Sequence, residues 1–517
     1  MTENNSHPYG AAVRFDGENL DCGNGLLLLI RKHIDPLEPG QLLEILSSEP
    51  SVREDLPAWC RLTGNELVSQ ITLPDRQSFL VSKGSFVPPK SAPNAAVDTA
   101  LRTRGPAPVT QPISQIVIPD SLPRPAAAPR IAPLSVMGMG SWPRPRWLLQ
   151  SLHEYLAGRL PESDFQETAN DAVRLVVDAQ LRSRVDVLTD GEQRRDNYAS
   201  FVGGILDNCQ LIPITDLLPY VDDPDHFREE LSRLDVPAET VRHPAVFGPL
   251  GRSRPLALRE FEFVRSLSTL PVKVALPGPY LLTRTMWMEC ISDRAYPSRE
   301  HLAEDIVRVL REEVHFLLAA GVSIVQFDEP VLTEVIYGRS GTGGRCFMCG
   351  ALGAKGPVQQ ELSFAQSLIN RVVEGLPAER LALHICRGNW TRDESAALAG
   401  DYRPLLKLLS EIAVGTLFLE LCTPRAGELE VLSSLPDDRR IGVGVVNQKS
   451  DRVETVDEVL ARAEHAIKVF GADRVLFNPD CGFATFADNP ITAALIAEQK
   501  LSAIAQAAER LRERYRV

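Results

Sequence analysis

Eight short apolar runs alternate with amphipathic stretches after residue 134, and this alternation constrains the fold more than any other feature. The runs are rich in β-branched residues, whereas the segments between them repeat apolar residues at three- and four-residue spacing, as helices do. Strand–helix alternation of this kind predicts a (β/α)8 TIM barrel. Periodicity alone leaves an open, doubly wound sheet as the alternative. The runs are 134–139, 185–189, 272–276, 322–327, 381–385, 416–420, 441–446 and 474–478.

Composition divides the 517-residue chain into three parts. Residues 1–88 have ordinary globular patterning and read as strand, helix, strand, helix, strand, strand, which predicts a small two-layer α/β sandwich domain. Residues 89–133 are rich in Pro and Ala and bury too little apolar surface to offset their ordering entropy, so we predict a flexible linker. Residues 134–517 form the predicted barrel domain.

Charge and cysteine content exclude several classes of protein. The net charge of −13 argues against nucleic acid or an anionic membrane as the main partner. The first residues do not resemble a secretory signal, and no apolar run is long enough to span a bilayer. Nine cysteines scattered over a long chain do not resemble a disulfide framework. We therefore expect a protein of the reducing cytoplasm.

Polar, small or thiol-bearing residues follow nearly every predicted strand. In a barrel of parallel strands, all the carboxyl ends open on one face, and the loops there build the functional site. A purely structural barrel has no need of polar strand ends, so we expect functional residues among them. Besides the metal candidates, those that we expect to contact substrate are Gly140, Ser141, Glu192, Asp328 and Asn447.

Four potential metal ligands lie at or just past three of the predicted strands. His384 and Cys386 belong to the fifth strand end, where residues two apart point the same way. Glu420 ends the sixth strand and Cys481 follows the eighth, so both can reach the same point only if the sheet closes. Two thiols, one imidazole and one carboxylate suit Zn²⁺. Packed core thiols are the alternative, and we favour that alternative for Cys422.

Seven segments of this region resemble the catalytic barrel of cobalamin-independent methionine synthase, in its shorter archaeal-type form. They are GSWPRPRWL, VLTDGEQRR, VQFDEPVL, LHICRGNW, LELCTPRAG, GVGVVNQK and NPDCGF. The resemblance implies that Glu192 and Asp328 receive a substrate ammonium group and that Ser141 helps to hold its carboxylate. It also implies a zinc ion held by His384, Cys386, Glu420 and Cys481.

That family joins homocysteine to a methyl group, so the resemblance implies a zinc-dependent methyltransferase that forms methionine or a related thioether. A thiol bound to Zn²⁺ is deprotonated near neutral pH and can attack the methyl carbon of a donor. Asp480, beside Cys481, is a candidate acid or orienting group, and a turn residue is the equal alternative. The larger methionine synthases bind folate with a second barrel that is replaced here by a small domain. The donor is therefore open among folate, a corrinoid and a methylated sulfur compound.

Two further segments have more than one interpretation. Residues 205–262 form an insertion that either caps the barrel mouth or is a surface excursion. Cys346 and Cys349 form a CxxC pair in a glycine-rich loop, which is compatible with redox chemistry or with half of a metal site. No second CxxC in the sequence completes a set of four ligands.

The N-terminal region resembles the TusA-type sulfur-carrier family, best at REDLPAWCRLTGNELV and at the final strand. The resemblance implies that Cys22, ahead of the first helix, carries a persulfide, with its pKa lowered by the helix dipole. A degenerate docking module is the alternative, because the family's proline turn is missing after Cys22. Sulfur relay through Cys22, with sulfur-transfer proteins as partners, is thus a second functional hypothesis. A metal-free enzyme on the same barrel is a third, and it would not need the thiol set.

Overall fold

The chain folds into two compact units, which we describe from a computed structural model. One unit comprises Met1–Pro112 with short pieces at Asp216–Pro224 and Glu289–Ile291, and the other comprises the remainder. The division thus falls within the Pro- and Ala-rich segment. The structure describes residues 6–22, 25–88, 118–220, 224–232, 236–288, 291–338, 356–427, 429–488 and 491–517.

The N-terminal unit is a four-stranded sheet with two helices. Its elements are β1 (Val13–Asp16), α1 (Leu26–Ile34), β2 (Leu42–Ser47), α2 (Val52–Thr63), β3 (Glu66–Thr72) and β4 (Gln77–Ser82). The spatial order is β1-β2-β4-β3, with β1 parallel to β2 and the other pairs antiparallel. Apolar residues of both helices, β2 and β4 form one core. The predicted order of strands and helices is therefore confirmed.

The second unit contains a six-stranded parallel sheet and a separate two-stranded ribbon. Its strands are β5 (Asp207–Pro213), β6 (Arg242–Gly251), β7 (Lys273–Pro277), β8 (Ile324–Asp328), β9 (Leu381–Ile385), β10 (Thr416–Leu419), β11 (Arg440–Val446) and β12 (Val475–Pro479). The sheet runs β7 to β12 in sequence order, and every neighbouring pair is parallel. These six strands match six of the eight predicted runs.

Helices alternate with these strands, as the amphipathic stretches predict. In a parallel sheet each crossover needs such a connection, because the chain must return to the other end before the next strand. The helices after residue 118 are α3 (Arg146–Leu156), α4 (Glu162–Arg182), α5 (Pro224–Ser232), α6 (Leu258–Leu267), α7 (Pro279–Met286), α8 (Arg299–Ala320), α9 (Val331–Tyr337), α10 (Val358–Val373), α11 (Leu406–Glu411), α12 (Val456–Phe470) and α13 (Ala494–Tyr515).

The first two predicted strands, 134–139 and 185–189, are reduced to single parallel bridges. Val136 pairs with Phe477 of β12, and Met137 pairs with Val187. Leu188 then pairs with Val272, directly before β7. A side chain interrupts the ladder here, because the Asp186 carboxylate accepts the Val136 amide at 2.7 Å. The result is a TIM-barrel-like α/β fold in which bridged segments link the two outer strands of the sheet.

Part of the predicted flexible linker is instead attached to the second unit. Residues 118–133 contain no helix or strand. The Ala126 amide donates to the Leu318 carbonyl at 3.1 Å, and the Ala126 carbonyl accepts from the Arg380 guanidinium at 2.6 Å. Extended Pro- and Ala-rich chain leaves its carbonyls unpaired, so a neighbouring arginine can fix it without regular structure. Residues 118–133 are thus held at Ala126, whereas a flexible linker over 89–133 stays a prediction.

The insertion at 205–262 is built around the β5–β6 ribbon, an antiparallel pair with Ile212 opposite His243. Helix α5 lies between the two strands in sequence.

No helix in the described ranges combines the length and apolar character needed to cross a bilayer.

Candidate metal centre and substrate pocket

Three of the four predicted metal ligands form a cluster at the strand ends. One ligand atom each of Cys386, Glu420 and Cys481 lies within 4.8 Å of the other two. Within the described ranges, no other group of three His, Cys, Asp or Glu residues has this spacing. Strand register explains the convergence, since His384 of β9 pairs with Asp328 of β8 and with Phe418 of β10. The loops after these strands therefore begin at one level.

His384 lies beside this cluster rather than within it. Its Nδ1 is 2.8 Å from Asp328 Oδ1, so the carboxylate holds the proton on Nδ1. Its Nε2 is buried without an oxygen or nitrogen partner in the described structure. Burial lowers the pKa of His384, but hydrogen bonds with Asp328 and Cys481 outweigh this effect and raise the pKa to about 10. With Nδ1 bonded to Asp328, Nε2 is the ring nitrogen toward the Cys481 thiol, and it becomes a ligand atom when a cation displaces its proton.

Glu420 is fixed by groups from the loops after β9 and β10. Its Oε1 accepts from the Arg387 amide at 2.8 Å and from Asn389 Nδ2 at 2.6 Å, and its Oε2 lies 3.4 Å from Arg425. Full burial raises the pKa of this carboxyl. Asn389 and Arg425 are contributors that our sequence analysis missed, although both lie in the segments LHICRGNW and LELCTPRAG.

The two clustered thiols are coupled to each other. A hydrogen bond with Cys386, followed by burial, raises the pKa of Cys481 well above its usual range, and His384 opposes the shift. Such thiols hold their protons until a cation replaces them. Two sulfurs, a carboxylate oxygen and an adjacent imidazole nitrogen match the ligand preferences of Zn²⁺. The residues therefore fit the zinc ion that the sequence predicts.

A row of buried polar side chains lies beneath His384. Lys273 Nζ donates to Gln326 Oε1 at 2.7 Å, and Gln326 Nε2 donates to Asp328 Oδ1 at 2.8 Å. The Lys273 ammonium also lies 4.4 Å from the centre of the Phe418 ring. Burial lowers the pKa of Lys273 to about 7 despite nearby carboxylates. This row orients the carboxylate that orients His384, and the only sequence signal for it is a polar residue inside each of two apolar strands.

A pocket opens beside the ligand cluster, and four of the five predicted substrate-contacting residues line it. Its lining includes Gly140, Ser141, Glu192, Asp328, His384, Cys386 and Cys481. Glu192 is strained, with φ of 54°, and its Oε2 is buried without a partner in the described structure. Burial raises the pKa of Glu192 to about 7. A Cβ at residue 140 would lie 2.2 Å from Glu192 Oε1, so only glycine leaves this carboxylate room.

Three other candidates lie outside the pocket lining. Asn447 donates from Nδ2 to Glu394, in the loop after β9, at 2.5 Å and accepts the Lys449 amide of its own loop. Asp480 Oδ1 accepts the amides of Leu421 and Cys422 at 2.9 Å each. Burial, followed by the charge of Glu420, raises the pKa of Asp480 to about 7. The Cys422 sulfur is not a member of the ligand cluster.

Cys22 does not have the environment that we expected. It is only 7% exposed and belongs to the apolar core of the N-terminal unit. Burial raises its pKa to about 12, and Asp55 and Asp21 add to the increase. The expected lowering by the helix dipole is therefore wrong, because desolvation and acidic neighbours outweigh it. Cys346 and Cys349 lie outside the described residues.

The insertion supplies one wall of the pocket. Four lining residues lie at the start of β6: Val241, Arg242, His243 and Pro244. Four more come from the segment before β5: Asn197, Tyr198, Ala199 and Ser200. Of the two interpretations of residues 205–262, the structure supports the one in which the insertion helps to enclose the barrel mouth.

Comparisons with known proteins agree with this architecture. Residues 232–343 and 395–506 match the family described as cobalamin-independent synthase, catalytic domain, and residues 25–83 match sulfurtransferase TusA. The chain is therefore similar to a cobalamin-independent synthase catalytic domain over these two ranges and to a TusA domain near its N-terminus. The matched ranges contain Asp328, Glu420 and Cys481, whereas Cys22 lies before the TusA match.

Similar proteins cover the barrel-like part. Methionine synthase of Saccharolobus solfataricus is 27% identical over 377 residues, which is 72% of this chain and 94% of that protein. Methionine synthase of Sulfolobus acidocaldarius is 27% identical over 353 residues, 68% of this chain and 86% of that protein. The solved B12-independent methionine synthase of Shewanella sp. W3-18-1 superposes with a TM-score of 0.55 at 24% identity, covering 74% of this chain and 99% of that one. The last similarity supports the fold.

Proposed function

We propose that this chain is a zinc-dependent methyltransferase that methylates the thiol of homocysteine or a closely related amino acid, giving methionine or a related thioether. The supporting observation is that the Cys386, Glu420 and Cys481 ligand atoms cluster beside a pocket whose other polar groups, Glu192 and Asp328, suit an amino-acid ammonium group. The relatives named methionine synthase support the same reaction.

In this proposal the metal is held by His384, Cys386, Glu420 and Cys481. Zinc, when bound, would stabilise the substrate thiolate at neutral pH. The chain's own residues prepare the site for it. Asp328 keeps the His384 proton on Nδ1, and the Arg387 amide and Asn389 orient the Glu420 carboxylate. The pocket wall keeps the thiol next to the donor and limits access of water.

Substrate orientation is assigned to Glu192, Asp328 and Ser141, outside the ligand cluster. Ionised Glu192, together with Asp328, would pair with the ammonium group, which relieves the cost of burying the Glu192 carboxylate. Ser141, whose Oγ is 3.3 Å from the Ala484 amide, would hold the carboxylate. The substrate sulfur then attacks the methyl carbon, and the bond between that carbon and the donor breaks with its electron pair leaving on the donor. The identity of the donor is open.

Asp480 is better assigned to positioning than to proton transfer. It is fully buried and absent from the pocket lining, and its Oδ1 fixes the loop that follows Glu420.

We also propose that the six strands and the two bridged segments form a closed eight-stranded barrel, with domain boundaries near residues 88 and 133. A cytoplasmic location stays a prediction; it is compatible with the absence of disulfides among the six described cysteines.

For the N-terminal domain we propose docking of sulfur-transfer proteins, supported by the TusA match over residues 25–83. Sulfur relay through Cys22 stays a separate prediction. Its buried thiol, ahead of the matched range, does not favour that role over docking.

The central experiment combines a methyl-transfer assay with metal analysis. Purified wild-type protein should bind about one zinc and methylate homocysteine with at least one of methyltetrahydrofolate, methylcobalamin and S-methylmethionine. Cys481→Ser should lose zinc and at least ~100-fold of activity, because even outer-shell changes at zinc sites cost 10- to 100-fold. Cys422→Ser is the matched control, since that neighbouring thiol is outside the cluster. Undiminished zinc in Cys481→Ser would reject the metal assignment.

A further inference from the structure

Four buried hydrogen-bond acceptors in the pocket lining have no oxygen or nitrogen partner in the described structure. They are Glu192 Oε2, His384 Nε2, Asn389 Oδ1 and His243 Nε2. Buried polar atoms are nearly always paired in folded proteins, so unpaired acceptors around one pocket indicate what a ligand must supply. Each of the four therefore needs an assignment.

The proposed function accounts for two of these acceptors. Glu192 receives the ammonium group of the thiol substrate, and His384 Nε2 receives the metal. His243 Nε2 and Asn389 Oδ1 have no role toward either. They remain for the second substrate, the methyl donor.

His243 is built into the insertion wall as a neutral acceptor. It is 2% exposed on β6, and its other ring nitrogen bonds the backbone of Thr285. Burial lowers its pKa to about 4, so the ring is uncharged at neutral pH. A neutral imidazole that donates from Nδ1 carries a lone pair on Nε2 and can only accept there.

The neighbours of His243 do not compete for this lone pair. Asn197, on the same wall, uses Nδ2 for the Ser200 hydroxyl at 2.5 Å and Oδ1 for the Ala199 and Ser200 amides. The remainder of this wall includes the rings of Tyr198 and Phe486. An uncharged acceptor beside these two rings, with Arg242 as the charged residue of the wall, suits a flat or apolar group that carries an N–H or O–H.

Resting on the proposed function, we propose that the wall formed by β6 binds the methyl donor and that His243 Nε2 accepts a hydrogen bond from an N–H or O–H of that donor. Asn389 Oδ1 is the second acceptor, with its amide orientation fixed by the Glu420 contact. Donors of this class include N-methylated heterocycles with ring or amide N–H groups. A fully alkylated sulfonium compound offers no such hydrogen and leaves both acceptors unpaired.

Two substitutions at one position test this assignment. His243→Gln retains an acceptor and a donor for the Thr285 carbonyl, whereas His243→Phe keeps the ring volume and loses both. With the donor that the wild type uses, His243→Phe should raise the donor KM about tenfold, the size of one lost hydrogen bond. Its kcat, its KM for homocysteine and its zinc content should stay within about twofold of wild type, and His243→Gln should restore most of the donor affinity.

The outcomes separate this inference from the proposed function. An unchanged donor KM in His243→Phe, or an equal rise in the homocysteine KM, overturns the inference while methyl transfer stands. Wild-type inactivity with every donor overturns both. A measurement on the wild type covers the case in which His243→Phe does not fold. Trimethylsulfonium, which has no N–H or O–H, should be at least about tenfold poorer in kcat/KM than methyltetrahydrofolate, and the reverse order would overturn the inference.

Discussion

Cysteines lie in both units of the chain, but their surroundings differ. In the barrel-like domain, Cys386 and Cys481 meet Glu420 and His384 at the edge of a pocket. In the N-terminal domain, Cys22 and Cys60 lie in an apolar core, where burial raises the pKa of each to about 12. The same side chain is therefore prepared for metal binding in one domain and shielded in the other.

The difference shows what activates a thiol. Parallel strand ends bring a carboxylate to the two sulfurs and an imidazole beside them, so the cluster offers a cation ligands of suitable chemistry. The N-terminal thiols have acidic and thiol neighbours instead, and a position ahead of a helix does not compensate for desolvation. Position in a motif alone does not make a cysteine reactive.

The largest expected effect concerns the reactivity of Cys22. A pKa near 12 rather than about 9 lowers its thiolate fraction at pH 8 by roughly 1000-fold. Timed iodoacetamide labelling, followed by mass spectrometry, should show Cys22 reacting on the order of 1000-fold more slowly in native protein than in urea. Cys60, which is also buried, serves as the internal reference. Rapid labelling of Cys22, but not of Cys60, in the native protein would contradict the shielding of Cys22 and would support the sulfur-relay hypothesis.

A smaller effect tests the polar row beneath the metal ligands. Lys273→Met removes the group that orients Gln326 and, through it, Asp328, so zinc affinity should fall by about 10- to 100-fold. Lys500→Met is the matched control, since this lysine is also buried and pairs with Glu454 at 2.7 Å. It should cost about 3–5 kcal/mol of stability and leave zinc affinity unchanged. Chelator competition and urea unfolding measure the two quantities, and equal zinc affinity in both variants would contradict the positioning role.

The smallest expected effect is the pH dependence of substrate capture. Burial raises the pKa of Glu192 to about 7, with Asp328 and Asp190 adding to it and Arg195 opposing it. The ionised form predominates above that pH and is the form that pairs with an ammonium group. The kcat/KM for homocysteine should therefore fall about tenfold per pH unit below 7. Glu192→Gln should be low and flat over this range, and a retained pH step there would assign the titration to another group.

Much of the architecture was predictable because it depends on local pattern. Six of the predicted runs are strands of the sheet, and the order of elements in the N-terminal domain is confirmed. The first two runs pair only through bridges, and at the first run the Asp186 side chain accepts the Val136 amide, a contact that periodicity does not encode. Substrate contact by Asn447 stays a prediction; its side chain bonds Glu394 of the loop after β9 and the Lys449 amide of its own loop.

The sequence by itself determined the alternation of strands and helices, the ligand types and the strand ends on which they lie. These follow from residue spacing along one segment. Only the tertiary structure decided that Cys22 is buried, that Lys273 supports Asp328 through Gln326, and that His243 offers a lone pair to the pocket. Burial and hydrogen-bond partners are set by residues far apart in the chain, and they control the charge state of each group.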